Sequence, residues 1–184
     1  PSVELVAAYE NGDLRKKTTI LTSGGPDIYG SAGYTLPSVP TVAQQYWNGK
    51  AYTYPAERIQ YAQNKNHWEN IKIIRYADVV LMAAEAANEL GQSGKAANYV
   101  NMIRNRAGLA NTTAADQVTL RAAIKQERRI EFAMEFERFY DLVRWGDAPA
   151  VLGAKGYTDK NKYFPIPQEA IDKSQGVLVQ NPNY

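Results

Sequence analysis

Apolar residues recur at helical spacing along the second half of the chain and show no such period over much of the first third. From Ile71 onward, Ile74, Ala77, Leu81 and Ala84 fall three or four residues apart, and Val80, Ala83 and Ala87 widen the stripe. That pattern predicts a largely buried helix. Gly91-Gln-Ser-Gly94 ends it. Ala97, Val100, Ile103 and Ala107 then carry a second helix to Gly108, a C-capping glycine. A turn that short makes the two helices antiparallel. A third helix is predicted to start between Asp116 and Thr119, either of which suits an N-cap. Leu120, Ala123, Ile124, Glu127, Ile130 and Met134 form its inner side. It is expected to break near Phe136–Arg138 and to resume as far as Trp145, before Gly146 and Pro149 stop it.

The flanking regions read differently. Leu5, Val6 and Tyr9 give residues 2–10 the apolar side of a short helix, and Asn11-Gly-Asp13 turns the chain. Leu14 to Thr22 reads as a strand or extended segment. From Ser23 to about Ala56 the chain is rich in Gly, Pro, Ser and Thr, a long loop region of the kind that carries function. At the other end, Phe164-Pro-Ile-Pro167 must be extended, and Gln168–Lys173 forms a short helix. No alternating pattern predicts a sheet. The fold class expected is all-α, with long irregular loops over 1–70 and a helical scaffold with a C-terminal tail over 71–184.

Composition narrows the chemistry. The chain has 184 residues, no cysteine, one histidine (His67) and a formal net charge of +2. Thiol catalysis, disulfides and cysteine zinc sites are excluded, as is any site needing two histidines. With no long basic run, binding driven by phosphate neutralisation is not expected, so nucleic acid is not a predicted partner. No cofactor or metal is called for. His67 lacks a recognisable catalytic partner. No apolar run approaches the ~20 residues that span a bilayer.

Two groups of side chains are candidates for function. Glu127, Glu131 and Glu135 lie four apart, so one helix side carries all three. They sit among Arg128, Arg129, Arg138 and Arg144. One reading is a carboxylate pair for glycoside hydrolysis; a metal site would lack its histidines. The favoured reading is a structural ionic network with i,i+3 pairs, Arg128 to Glu131 and Glu135 to Arg138. The second group is aromatic. Thirteen tyrosines and three tryptophans outnumber four phenylalanines, a bias toward rings with a polar edge. Tyr29, Tyr34, Tyr46, Trp47, Tyr52 and Tyr54 crowd the loop region. Such rings stack on sugar faces, while amides such as Gln44, Gln45, Asn48, Asn64 and Asn66 bind hydroxyls.

Taken in order, Arg75-Tyr-Ala-Asp-Val-Val-Leu-Met-Ala-Ala-Glu-Ala, Val100-Asn-Met-Ile-Arg-Asn-Arg-Ala-Gly108, Glu127-Arg-Arg-Ile-Glu-Phe-Ala-Met-Glu135, Arg138-Phe-Tyr-Asp-Leu-Val-Arg-Trp145, Phe164-Pro-Ile-Pro167 and Gln180-Asn-Pro-Asn-Tyr184 resemble the C-terminal half of the SusD/RagB family. The helix pair itself resembles a tetratricopeptide repeat. The resemblance implies an outer-membrane lipoprotein of Bacteroidota. Such a protein binds glycans or other nutrients at the cell surface, as a lid over a SusC-type TonB-dependent transporter, and is not an enzyme. It implies that 1–184 is the C-terminal portion of a longer protein, with membrane attachment only through an N-terminal lipid outside it. Ligand contacts in this family come from variable loops, so the ligand-binding residues Trp47, Tyr46, Tyr52 and Tyr34 are nominated on chemistry alone.

Overall fold

The computed structural model describes residues 1–30, 34–39, 43–60 and 70–184. His67, Asn64 and Asn66 lie outside the described residues. The chain forms two compact units, Pro1–Phe136 and Glu137–Tyr184. The change in composition at residue 70 therefore marks a change of secondary structure inside the first unit.

The first unit holds helices α1 (Val3–Ala7) and α2 (Lys16–Thr19), strands β1 (Ile20–Thr22) and β2 (Tyr46–Asn48), and helices α3 (Pro55–Gln60), α4 (Tyr76–Glu89), α5 (Ser93–Arg106) and α6 (Gln117–Glu131). The long helices are where the 3.6-residue period placed them. Between α4 and α5 the chain reverses at Gly91, whose φ is 72°. Gln92 N donates to Ala87 O at 2.8 Å across this reversal. α6 packs on both helices, giving a three-helix core. Its layers are Ala77, Val80, Leu81, Ile103 and Phe132; Ala84, Val100 and Ile124; and Ala87, Ala96 and Leu120. Alanine in facing positions lets the axes approach closely. Asp116 caps α6, accepting from Val118 N at 2.9 Å and Thr119 N at 3.0 Å. Asn88, fully buried, exchanges bonds with Gln117 through side-chain amides and backbone carbonyls.

Two expectations need correction. A small antiparallel ribbon is present, with Ile20, Leu21 and Thr22 opposite Asn48, Trp47 and Tyr46. Leu14–Thr22 is thus part helix and part strand. The ribbon closes at Gly49, where a Cβ would fall 2.2 Å from Thr18 O, so only glycine fits. The other correction concerns the end of α6. It stops at Glu131, well before Phe136, and Met134 and Phe136 take φ of 66° and 72°. Met134 therefore does not extend the inner face. The cause is tertiary: Glu131 O accepts from Lys50 Nζ at 2.7 Å and Arg75 Nη2 at 2.8 Å. Cations take the place of the next turn's N–H.

The second unit contains α7 (Glu137–Arg144), α8 (Ala148–Leu152) and α9 (Gln168–Lys173), with short 3-10 turns at Gly153–Lys155 and Asp159–Lys162. Phe164–Pro167 is extended, as the prolines require. The tail returns along it: Ile166 exchanges hydrogen bonds with the Gln180 side chain, and Asn181 Nδ2 donates to Phe164 O at 2.7 Å.

Candidate functional site

Both groups singled out in the sequence lie in the first unit. Helical spacing puts Glu127 and Glu131 on the buried side of α6, 3% and 2% exposed, with Glu135 just past its end. Their partners come from distant segments. Arg15 Nη1 bridges Glu127 Oε1 at 2.5 Å and Glu131 Oε2 at 3.0 Å, while its other nitrogens hold Asp13. Arg75 reaches Glu131 Oε1 at 2.6 Å through Nη1 and Glu135 Oε2 at 2.6 Å through Nε. Arg106 adds a bond to Glu131 Oε1 and Lys50 one to Glu135 Oε1, each at 2.5 Å. Arg104 clamps Glu10 with two bonds and stands 3.4 Å from Glu127 Oε2.

The network is ionic, as favoured from the sequence, but the expected i,i+3 pairing is not how it is built. Arg128 turns to Asp78 at 2.7 Å, and Glu135 is taken by Lys50 and Arg75. Two terms set the protonation of these groups. For Glu131 and Glu135 burial works against the charged form, but the arginines, with Lys50 beside Glu135, outweigh it and lower both pKa values. For Glu127 burial wins over Arg15 and Arg104, and its pKa is raised. Burial likewise lowers that of Lys50 despite Glu135. Divergent carboxylates can mark an acid/base pair. Here, however, each oxygen of Glu127, Glu131 and Glu135 already accepts from a cation, as a structural ion network requires. A cavity of about 580 Å3 opens beside Glu131 and Glu135, rimmed by Ile71, Met134 and Phe136. Among the described residues no group of three or more His, Asp or Glu is arranged to hold a metal ion. No helix among them is long and apolar enough to cross a membrane.

The loop aromatics divide into two sets. Tyr46 and Trp47 are consecutive on β2, so their side chains point to opposite faces of the ribbon. Tyr46 packs against the cluster of Tyr9, Ile20 and Ile130. Trp47 donates its indole N–H to Ser23 Oγ at 2.7 Å. Tyr52 and Tyr34 instead meet in a second cluster. Tyr29 stacks on Tyr52 with centroids 6.2 Å apart and meets Tyr54 edge-on at 5.3 Å. Arg58 lies over the Tyr52 ring, 5.1 Å from its centroid, and Nη2 contacts the Tyr52 hydroxyl at 3.4 Å. Burial first, and then the hydrogen bond with Tyr34, raise the Tyr52 pKa. Asp27 braces the cluster by accepting from Tyr29 N at 3.1 Å. Tyr29 and Tyr54 stay 49% and 38% exposed, leaving open ring surface.

Tyr29, Tyr54 and Arg58 were not among the nominated residues. One signal was available for Tyr54. In extended chain, positions two apart share a side, so Tyr52 and Tyr54 form a natural pair. Tyr29 and Arg58 arrive by tertiary folding. The amides do local work: Asn48 Oδ1 accepts from Lys50 N at 2.9 Å and Gln44 Nε2 donates to Tyr46 O at 2.7 Å.

The chain is similar to known proteins along most of its length. A family model described as the SusD family matches residues 3–184. A SusD-like protein of Formosa agariphila is 35% identical over 127 residues, 60% of this chain and 25% of its own length. Among solved structures, surface glycan-binding protein A from Bacteroides thetaiotaomicron matches all of this chain and 41% of its own, with a TM-score of 0.73 at 28% identity. A laminarin-binding SusD-like protein matches all of this chain and 38% of its own, with a TM-score of 0.73 at 33% identity. The chain thus spans about a quarter to two-fifths of the length of these relatives.

Proposed function

Since this chain belongs to the SusD family, we propose that it supplies the sugar-holding part of a cell-surface glycan-binding protein. On this reading the rings of Tyr29, Tyr52 and Tyr54, backed by Tyr34 and Arg58, form the stacking platform. One observation carries it: Tyr29 packs on both Tyr52 and Tyr54, and the rings of Tyr29 and Tyr54 keep open surface. Rigid aromatic faces bind at low entropic cost. Trp47 offers a face as a lesser contact, its N–H being committed to Ser23, and Tyr46 is assigned to packing. Two relatives are named for binding glycan and laminarin, which supports an oligosaccharide ligand. The protein binds and does not hydrolyse; the engaged oxygens of Glu127, Glu131 and Glu135 support this. It works with a SusC-type TonB-dependent transporter on the outer membrane of a Bacteroidota cell, anchored by a lipid outside these residues.

The test is calorimetry against a glycan panel that includes laminarin oligosaccharides, with the products checked for cleavage. Tyr52→Ala should lower affinity on the order of thirtyfold, the loss of about 2 kcal/mol typical of an aromatic anchor. Binding that is indifferent to this change would refute the platform. Release of shortened sugars would refute the non-enzymatic reading.

A further inference from the structure

Arginines stack on aromatic rings at several places among the described residues. Arg75 and Arg128 both lie over Phe132, 4.8 Å and 4.9 Å from its centroid, and Arg144 lies over Trp145 at 4.6 Å. Each of these three also holds a carboxylate. Arg75 holds Glu131 and Glu135, Arg128 holds Asp78, and Arg144 holds Asp141. Arg58 breaks the pattern. It lies over Tyr52 at 5.1 Å, and none of the ion pairs among the described residues includes it. Its hydrogen bonding is as thin: Nη2 stands 3.4 Å from the Tyr52 hydroxyl, and Nε is enclosed with no acceptor. Asp27, the buried acid of this cluster, accepts from Tyr29 N.

The local fold explains why the guanidinium sits here. Arg58 N donates to Tyr54 O at 3.2 Å, so Arg58 stands one turn into α3. Helical side chains lean toward the N-terminus, which carries Arg58 back over Tyr52. A ring face attracts a cation without neutralising it. A charge drawn partly out of water and left without a counter-charge is costly. An anion from outside offsets that cost. It also meets a guanidinium already held flat, whose parallel N–H groups match a carboxylate or a sulfate.

We propose that the platform of Tyr29, Tyr52 and Tyr54 takes an acidic glycan, and that Arg58 holds its carboxylate or sulfate group. The inference rests on the platform reading above and adds the charge of the ligand to it. Tyr29 and Tyr54 keep ring surface for the apolar face of a sugar, and Arg58 supplies the cation beside them. A neutral glycan uses the rings and leaves the guanidinium unpaired.

Calorimetry on the longest natural polypeptide that contains these residues tests this with matched pairs of oligosaccharides. One pair is an oligogalacturonide and its methyl ester. The other is a sulfated galactan oligosaccharide and its desulfated form. The readout is the ratio of affinities within a pair, because a change that merely loosens the platform weakens both members and leaves the ratio. In at least one pair the charged member should bind about tenfold tighter, and which pair it is tells carboxylate from sulfate. Arg58→Gln should bring that ratio close to one. Arg58→Lys keeps the charge without the flat fork and should retain part of it. If these variants fail to accumulate, the ratio in the unaltered protein should shrink as sodium chloride is raised from about 0.05 M to about 0.5 M. A ratio near one in both pairs, one that Arg58→Gln leaves intact, or one indifferent to salt overturns the role of Arg58. Neutral members that still bind, and lose affinity in Tyr52→Ala, then leave the platform itself standing. Binding of no member, nor of laminarin oligosaccharides, removes the platform and this inference with it.

Discussion

The glutamate row of α6 and the tyrosine cluster of the loops are both dense groups of polar-edged side chains in one unit, yet they are finished in opposite ways. In the glutamate row each carboxylate oxygen has a cation, and the side chains of Glu127 and Glu131 are sealed from solvent. In the tyrosine cluster the hydroxyls of Tyr29 and Tyr52 are engaged, and Tyr29 and Tyr54 remain exposed. A buried group with a cation on each oxygen holds a fold together. One with ordered but exposed ring surface has what the proposed sugar platform requires. The contrast separates scaffold from site without reference to residue type.

The comparison breaks most visibly at Glu131. Glu131→Gln removes the charge that Arg15, Arg75 and Arg106 share and should cost about 3–5 kcal/mol. At 2–4 °C per kcal/mol for a chain of this size, that is roughly a 10 °C drop in melting temperature by circular dichroism. Glycan affinity of the folded fraction should stay within twofold. If stability held while binding vanished, the roles assigned to the two clusters would be reversed.

Tyr29→Ala is the mirror experiment. It removes the ring that joins Tyr52 to Tyr54, so affinity should fall about tenfold or more. The melting temperature should move by only a few degrees, because the ring is half exposed. A melt as damaged as that of Glu131→Gln would mean that the cluster is core.

Acid should act on the glutamate row. The folded pKa values of Glu131 and Glu135 lie below their unfolded ones. Their stabilisation is fully present above the unfolded range, roughly pH 4.3, and is lost as pH falls through the folded values. Glu127, raised by burial, has the opposite sign: its ionisation opposes folding as pH rises through its folded value. With two lowered carboxylates against one raised, melting temperature should decline as pH falls from about 4.3 toward about 3. The decline should be shallower in Glu131→Gln.

The smallest effect is expected at Trp47, which lies on β2 outside both groups. Trp47→Phe keeps a ring but loses the bond to Ser23, a change of about 1 kcal/mol in stability. Affinity should change less than twofold. A tenfold loss would move Trp47 into the platform.

Much of this could be read in the sequence, and the gaps have physical causes. α4, α5 and α6 were legible because a long stripe of buried positions repeats their period. The ribbon was not, since three-residue strands are too short to show alternation and its closure depends on Gly49 meeting Thr18 O. The end of α6 was misplaced because Ile130 and Met134 continue the apolar period, while the cations that cap Glu131 O come from positions 50 and 75. The same blindness affected the ion pairs: spacing reveals neighbours on one helix, and Arg15 and Glu127 are 112 positions apart. The aromatic cluster was half legible, with Tyr34 and Tyr52 nominated and Tyr29, Tyr54 and Arg58 not.

Lys50 and Arg75 both end on Glu131 O and on the Glu135 carboxylate. The stretch between them, which carries Tyr52, Tyr54 and Arg58, therefore leaves and rejoins the body at one fixed clasp. A loop with clasped ends can be lengthened cheaply, since doubling its length costs only about 0.6 kcal/mol of closure entropy. Evolution can thus replace the contents between the clasp residues without disturbing the helices. A protein engineer can do the same, varying the positions around Tyr52, Tyr54 and Arg58 between two fixed ends to test the proposed platform against different sugars.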